Sequence, residues 1–297
     1  MKAIMLAAGK GTRCYPFTHI YPKLFQQVCG IPVIEYMLSW FHGLAGLEQL
    51  YLVVNHETPM EKIHQYLNSR KSRLRNIMSL FERLGYKVDY VNPDFVIEPV
   101  EAHGRGTGGD LRTAIETIKL RGRLDGDVIV CNSDYATISQ QADGSLSPQI
   151  NIGDIMRYHR ACNRELGTVM TVALTAVAAK DGQNYGIAQT RQMQDSLIIK
   201  GFNEKPAGHI AADTLLINAG LYVIDWGFIL GGLDTYLPDG PHVDLEKTLI
   251  ERLTTEEAAK LAAYVLHFYR WFDIGTPEKL VDASICIASE GQSHRVA

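Results

Sequence analysis

No run of about 18 apolar residues occurs anywhere in the chain, so no segment is long and apolar enough to cross a membrane as a helix. The apolar start, Met1-Lys2-Ala3-Ile4-Met5-Leu6, is too short for a secretory leader and runs straight into Gly9 and Gly11. A basic excess is also missing. Lys and Arg number 29 against 33 Asp and Glu, a formal net charge of −4, which disfavours a nucleic-acid partner. No two of Cys14, Cys29, Cys131, Cys162 and Cys286 are spaced Cys-x-x-Cys, and none of the 10 histidines sits in a His-Glu-x-x-His set. A His/Cys zinc site is therefore not expected. Scattered thiols of odd number read as buried cysteines of a reducing, cytoplasmic setting. What remains is ordinary globular usage: 297 residues, 46% apolar and 21% charged, enough to bury a core without disulfides.

Short apolar runs alternate with helical stripes. Ala3 to Ala8 reads as a buried strand ended by glycine. A helix starts at Ile31-Pro32-Val33, with Ile34, Met37, Leu38 and Phe41 on one face. Strands are predicted at Leu50–Val54, Lys87–Val91 and Asp127–Cys131, with helices through Leu74, Ile77, Met78 and Phe81, and through Leu111, Ala114, Ile115 and Ile118. Such alternation predicts a largely parallel sheet covered on both faces. The polar stretch Ser139 to Ser147 is the expected loop between two halves. Beyond it the pattern predicts a helix from about Ile152 and strands over Gly167–Ala176, Gly186–Ala188, Leu197–Ile199, Leu215–Val223 and Ala262–Tyr269. Thr276 and Pro277 suit the cap and first position of a terminal helix, whose apolar stripe reads Leu280, Val281, Ile285 and Ala288. The charge run Arg70 to Arg75 reads as a solvated helix face.

The most informative stretch is Leu6-Ala7-Ala8-Gly9-Lys10-Gly11-Thr12-Arg13, with Pro16, Thr18, Pro22 and Lys23 behind it. A glycine loop after a buried strand aims backbone N–H groups at phosphate. It is not a P-loop, for no Gly-x-x-x-x-Gly-Lys-Ser/Thr occurs. It is not a dinucleotide loop either, because Cys14 stands where the third glycine belongs and Pro16 blocks the immediate helix. A bare Gly-x-Gly is more often a plain turn. Arg13 and Lys23 change that reading, since two cations beside a phosphate-sized nest call for an anion between them. Asp134 follows a strand, at the edge where open α/β sheets bind ligands, and Asp273 follows another apolar run.

With these motifs the chain resembles the sugar-1-phosphate nucleotidyltransferases, or nucleoside-diphosphate-sugar pyrophosphorylases. The likeness recurs at Gly106-Thr107-Gly108-Gly109, Asn132-Ser133-Asp134, Tyr185-Gly186, Asn203-Glu204-Lys205-Pro206, Asn218-Ala219-Gly220-Leu221-Tyr222 and Trp271 to Pro277. It implies an α/β, Rossmann-like fold, with a mixed, mostly parallel sheet and helices on both faces. One nucleotidyltransferase domain would span 1–297, with a nucleotide-binding half over 1–138 and a sugar-phosphate half over 139–297. The partners implied are an NTP and a sugar 1-phosphate or a sugar-like cyclitol phosphate, with pyrophosphate as product, and the oligomeric state stays open. The chain's end soon after the terminal helix is expected to leave no room for the left-handed β-helix domain that some relatives carry.

The resemblance also assigns roles. Arg13, Lys23 and Asp134 are the catalytic candidates. Leu6, Ala8, Gly9, Gly11, Thr12, Arg13, Glu98, Gly106 and Thr107 would bind the nucleotide. Tyr185, Gly186, Glu204, Lys205, Asn218 and Trp271 would bind the sugar phosphate, Gly186 by letting backbone come close to the sugar. Asp134 and Asp273 would hold Mg2+, a hard cation that prefers oxygen. The first motif looks most like that of mannose-1-phosphate guanylyltransferases, which points to GTP. The chain departs from the pattern at Ala7-Ala8, Cys14 and Ser133, and Glu98 to Arg105 looks like a lengthened base-reading loop in which His103 and Arg105 are contacts or plain loop residues. Two other readings stand beside this one: a non-catalytic nucleotide-sugar sensor on the same fold, and a nicotinamide oxidoreductase, already weakened by Cys14 and Pro16.

Overall fold

In the computed structural model, β1 (Lys2–Ala7) is followed by the hairpin β2–β3 (Gln27–Val28 and Ile31–Pro32), α1 (Val33–His42), β4 (Gln49–Asn55) and α2 (Met60–Arg83). Next come β5 (Val96–Ala102), α3 (Gly106–Arg121), β6 (Asp127–Asn132), β7 (Tyr135–Gln140), β8 (Leu146–Ser147) and α4 (Ile152–Leu166). The rest runs β9 (Met170–Ala178), β10 (Gly186–Met193), β11 (Ser196–Glu204), β12 (Thr214–Asp225), α5 (Trp226–Gly231), β13 (Leu261–Leu266), β14 (Phe268–Asp273) and α6 (Pro277–Val296). The structure describes residues 1–15, 18, 21–89, 95–121, 126–182, 184–206, 212–255 and 260–296. Pro16 and Val91 lie outside these.

A nine-stranded sheet, ordered β10-β11-β13-β9-β12-β6-β1-β4-β5, spans the molecule. From β6 through β1 and β4 to β5 every pairing is parallel. β12 then enters antiparallel against both β6 and β9, which makes the sheet mixed. The alternation of side chains along each strand sends them to two cores. Ile4 and Leu6 pack with Leu111, Ala114 and Ile115 of α3 on one face. Ala3 and Met5 pack with Ile34, Met37 and Leu38 of α1 on the other. The α/β class with helices on both faces, expected from alternating runs, is the one observed. Among the described residues, no helix is long and apolar enough to cross a membrane.

Several local expectations need correction. Lys87 to Asp89 are not a strand, and the strand instead falls at β5, inside the presumed base-reading loop. Val96, Ile97 and Val100 favour it, and Pro99 is tolerated because β5 is the sheet's edge. Ser139 to Ser147 is a hairpin between β7 and β8, closed by Gln141 N–H donating to Ser145 O at 2.8 Å. Ala262 to Tyr269 is not one strand. The chain turns at His267, so that β13 joins β9 in the large sheet while β14 pairs with β7 in a separate small one. Stacking of Phe268 on Trp40, with ring centroids 6.1 Å apart, anchors the diverted segment. On α6 the buried positions are Ala283 and Ile287, whereas Val281 and Ile285 are exposed. α6 crosses the end of α2 where a side chain on Gly85 would strike the backbone of Gly291, and one on Gly291 the backbone of Leu84. Tyr86 Oη donates to Ile287 O beside that crossing, at 2.5 Å.

The charge run on α2 is not wholly solvated. Arg70 is buried and forks onto the fully buried Glu35 of α1, at 2.9, 3.0 and 3.1 Å. Tyr66 Oη donates to the same carboxylate at 2.6 Å, and Arg70 Nη2 lies 3.0 Å from His42 Nε2. Burial, with Arg70 beside it, lowers the His42 pKa to about 3. The folded chain thus refuses a proton that an unfolded histidine accepts near pH 6.5. Stability is therefore expected to fall as pH drops from about 6.5 toward 3, by up to about 1.4 kcal/mol per pH unit from this group. Urea midpoints taken between pH 7 and 4.5 check it: His42→Asn should show the shallower pH dependence, and an identical slope refutes the assignment.

Candidate active site

β1 delivers the glycine loop to the carboxyl edge of the sheet's parallel half. Asn55, the last residue of β4, donates from Nδ2 to Ala8 O at 2.9 Å and so fixes the loop's first turn. Gly11 adopts φ 64°, a left-handed conformation that suits glycine, and opens a short helical turn over Thr12–Cys14. Cys14 Sγ donates to Gly275 O at 3.1 Å, tying this loop to the turn after β14. Burial pushes the Cys14 thiol pKa up, so it stays a neutral donor there.

The loop forms one wall of a cleft of about 400 Å³. Leu6, Ala8, Gly9, Gly11, Thr12 and Arg13 line it, as the sequence predicts. Gly106 and Thr107, at the start of α3, form another wall. Lys23 and Asp134 face the same space, with Asn132 and Gly275. Lys23 Nζ sits 2.6 Å from Asp134 Oδ2. Burial works against the lysine's charge, but the carboxylates of Asp134 and Asp273 outweigh it and hold its pKa above the usual value.

Asp273 arrives by sheet register. It is the β14 partner of Tyr135, the residue after Asp134, and Ile274 N–H donates to Asp134 O at 2.8 Å. Asp273 Oδ2 in turn lies 2.8 Å from Lys279 Nζ. A methyl group on Gly275 would be 3.1 Å from Asp273 Oδ1 and 3.4 Å from Arg13 Nη2, so guanidinium and carboxylate flank one spot. Arg13 is exposed and, among the described residues, has no carboxylate within ion-pair distance. Segments near positions 13, 23, 134 and 273 thus meet in one place.

Glu98 does not join them. It is the third residue of β5, opposite Tyr51, and its carboxylate takes the Gln49 amide at the start of β4. The cleft is at the other end of these strands, so Glu98 is removed from the nucleotide set. Arg105 is engaged by Asp239 and, at 3.4 Å, by Thr113, and His103 packs its ring on His56. Neither is among the residues that line the cleft.

The sugar-phosphate candidates gather farther along the sheet. Gly186 and Glu204 are register partners on β10 and β11. A side chain at Gly186 would run into the Phe202 ring and come within 2.6 Å of Glu204 Oε2, so the glycine makes room for protein atoms. Lys205 is exposed, with its Nζ 3.1 Å from Glu204 Oε1 and its backbone N–H on Tyr185 O at 3.2 Å. Asn218 is buried, and its amide serves the protein: Nδ2 donates to Tyr222 Oη at 2.6 Å and Oδ1 accepts from Gly220 N–H at 3.0 Å. Trp271 lies between Tyr135 and Tyr185, with centroids 4.9 and 5.1 Å away, and its buried Nε1–H has no partner among the described residues.

Glu246, absent from the sequence-based set, joins the two regions. Thr107 Oγ1 donates to Glu246 Oε2 at 2.9 Å, and Tyr222 Oη donates to Oε1 at 3.2 Å. Burial first, and then the nearby Glu204 carboxylate, raise its pKa. It opens a π-helical turn, Glu246–Glu251, an irregularity frequent at functional sites. No local signal marks Glu246, because its partner Thr107 is 139 residues away. Lys279 was missed as well, although its place in the first turn after Thr276-Pro277 was readable.

Comparison with known proteins bears on the family and the fold. A family model described as nucleotidyl transferase matches residues 2–290. The UTP–glucose-1-phosphate uridylyltransferase of Synechocystis sp. is 27% identical over 277 residues, covering 93% of this chain and 60% of its own. The mannose-1-phosphate guanylyltransferase of Mycobacterium tuberculosis is 26% identical over 283 residues, covering 95% of this chain and 63% of its own. The chain therefore spans about three-fifths of these relatives. A crystal structure of a UDP-glucose pyrophosphorylase complexed with UDP-glucose superposes with TM-score 0.69 at 18% identity, covering 97% of this chain and 98% of that one, a likeness of fold.

Proposed function

We propose, for a chain that belongs to the nucleotidyl transferase family, that it transfers a nucleoside monophosphate from an NTP to a sugar 1-phosphate or sugar-like cyclitol phosphate. The observation that carries this reading is the meeting of Arg13, Lys23 and Asp134 at one cleft, with Asp273 next to its wall at Gly275, from segments remote in sequence. A phosphate oxygen of the sugar substrate attacks the α-phosphorus in line. A new P–O bond forms as the bond to the β-phosphate breaks, and pyrophosphate leaves. Both reactants are anions, and two unit charges about 4 Å apart repel by roughly 4 kcal/mol at an effective dielectric near 20. Neutralising and aligning them is most of the work, and no protein nucleophile is required.

Arg13, unpaired by any described carboxylate, is free to fork onto the triphosphate and the departing pyrophosphate. Lys23 supplies a point charge beside the α-phosphate. Gly9 and Gly11 leave backbone N–H groups near the phosphates, while Leu6 and Ala8 face the nucleoside. Glu204 and Lys205 serve the sugar-phosphate side, next to Tyr185.

Asp134 and Asp273 fit Mg2+. They are adjacent, oxygen-only donors, and among the described residues no group of three or more His, Cys, Asp and Glu gathers to make a full protein cage. Two carboxylates with substrate phosphates and water completing the shell is the usual arrangement for this ion. When bound, Mg2+ would screen the phosphates and polarise the α-phosphate.

GTP is the nucleotide proposed, on the likeness of the glycine loop to guanylyltransferases. A uridylyltransferase and a guanylyltransferase are almost equally similar to the chain, at 27% and 26% identity. The free, largely buried thiols support a cytoplasmic setting. Pyrophosphate release across five NTPs and several sugar 1-phosphates tests the reading. Turnover is expected in one pairing, fastest with GTP and dependent on Mg2+. Faster turnover with UTP overturns the nucleotide, and tight binding without turnover in any pairing favours the sensor.

A further inference from the structure

Each carboxylate assigned to the metal already holds a lysine. Lys23 closes on Asp134 at 2.6 Å and Lys279 on Asp273 at 2.8 Å. The pair is charge-balanced as it stands, so a divalent cation taking both carboxylates competes with the lysines for their charge. The two lysines are not equally replaceable. The Lys23 side chain is 16% exposed, at the bottom of the cleft, whereas that of Lys279 is 37% exposed on the first turn of α6. Lys279 also has a second place to rest. Its Nζ is 3.4 Å from Tyr185 Oη and lies over the Tyr185 ring, 5.6 Å from the centroid. Tyr185 in turn holds the backbone N–H of Lys205, on the sugar-phosphate side.

We infer that Lys279 is a displaceable internal counter-ion. It keeps Asp273 neutralised beside Asp134 while the site is empty of metal, and it swings to the Tyr185 side when a divalent cation takes Asp273. There its charge stands by the Tyr185 ring, and the Tyr185 backbone anchors Lys205 on the proposed sugar-phosphate side. The inference rests on the proposed metal role of Asp273 and assigns Lys279 a positioning role that no motif of the chain carries. It makes the lysine a competitor of the metal and a helper of the sugar phosphate at once.

Mn2+ binding to the nucleotide-free protein, followed by the electron paramagnetic resonance signal of the free ion, tests it. Lys279→Met is expected to bind Mn2+ about tenfold tighter than the parent chain, and Lys279→Gln likewise. In steady-state assays the same variants should raise KM for the sugar 1-phosphate and leave KM for the NTP unchanged. Thermal unfolding checks that they fold, and the Gln variant stands in should the Met variant fail. Equal or weaker Mn2+ affinity in the folded variant, with Asp273→Asn losing the ion, overturns the role of Lys279 and leaves the metal reading intact. Undiminished Mn2+ binding by Asp273→Asn instead overturns the metal reading itself.

Discussion

Turnover by Asp134→Asn is expected to fall by a factor of at least about 10²–10³ at saturating Mg2+, the scale of losing one preorganised electrostatic group in a closed site. One function would be lost and a second weakened. One is a full negative charge for the cation. The other is the partner that aims Lys23, now 2.6 Å away, into the cleft. The fold should survive, because the asparagine oxygen still accepts from Lys23 and the bond from Ile274 N–H goes to the backbone oxygen of residue 134. Pyrophosphate release, measured beside the thermal midpoint, separates chemistry from folding. A folded variant with the parent rate removes Asp134 from the metal site.

Arg70→Met is expected to cost about 3–5 kcal/mol of stability, the range for removing one partner of a buried ion pair. Glu35 is fully buried and receives its charge-assisted bonds from Arg70, with Tyr66 Oη as the other donor. Without the guanidinium its carboxylate is left charged in the interior, or must take up a proton. Replacing both residues by leucine should restore much of the loss, since two apolar groups leave no stranded charge. Urea unfolding of the single and double variants decides it. A single variant within about 1 kcal/mol of the parent contradicts the burial argument.

Legibility in the sequence followed locality. The parallel half was readable because β1, β4 and β6 are buried apolar runs, and such runs carry their own signal. α6 falls where its cap predicts, and Leu280 of its expected stripe packs on the core, but Val281 and Ile285 face solvent. Pairs at positions 281 and 285 and at 283 and 287 have the same helical spacing, and the larger side chains drew the reading. Only contact with the end of α2, at glycines that leave no room, selects the face carrying Ala283 and Ile287. The glycine loop, Lys23 and Asp134 were legible as contiguous motifs, and the structure brings them to one cleft. Glu98 departs from its expected role because the strand falls at β5, where the proline and acidic residues read as a loop, and not at Lys87–Val91. Glu246 depended on the meeting of α3 with a distant turn, which no short-range pattern encodes.

The crossing of α6 over α2 reaches beyond packing. Gly291 and Lys279 are separated by about 18 Å of continuous helix, at 1.5 Å per residue. The helix rests there on bare backbone, and its first turn carries Lys279 beside Asp273. A side chain at either glycine would meet backbone atoms too closely to fit, so the two elements would have to part. The contact thus bears on the seat of the helix that carries Lys279, from outside the residues that line the cleft.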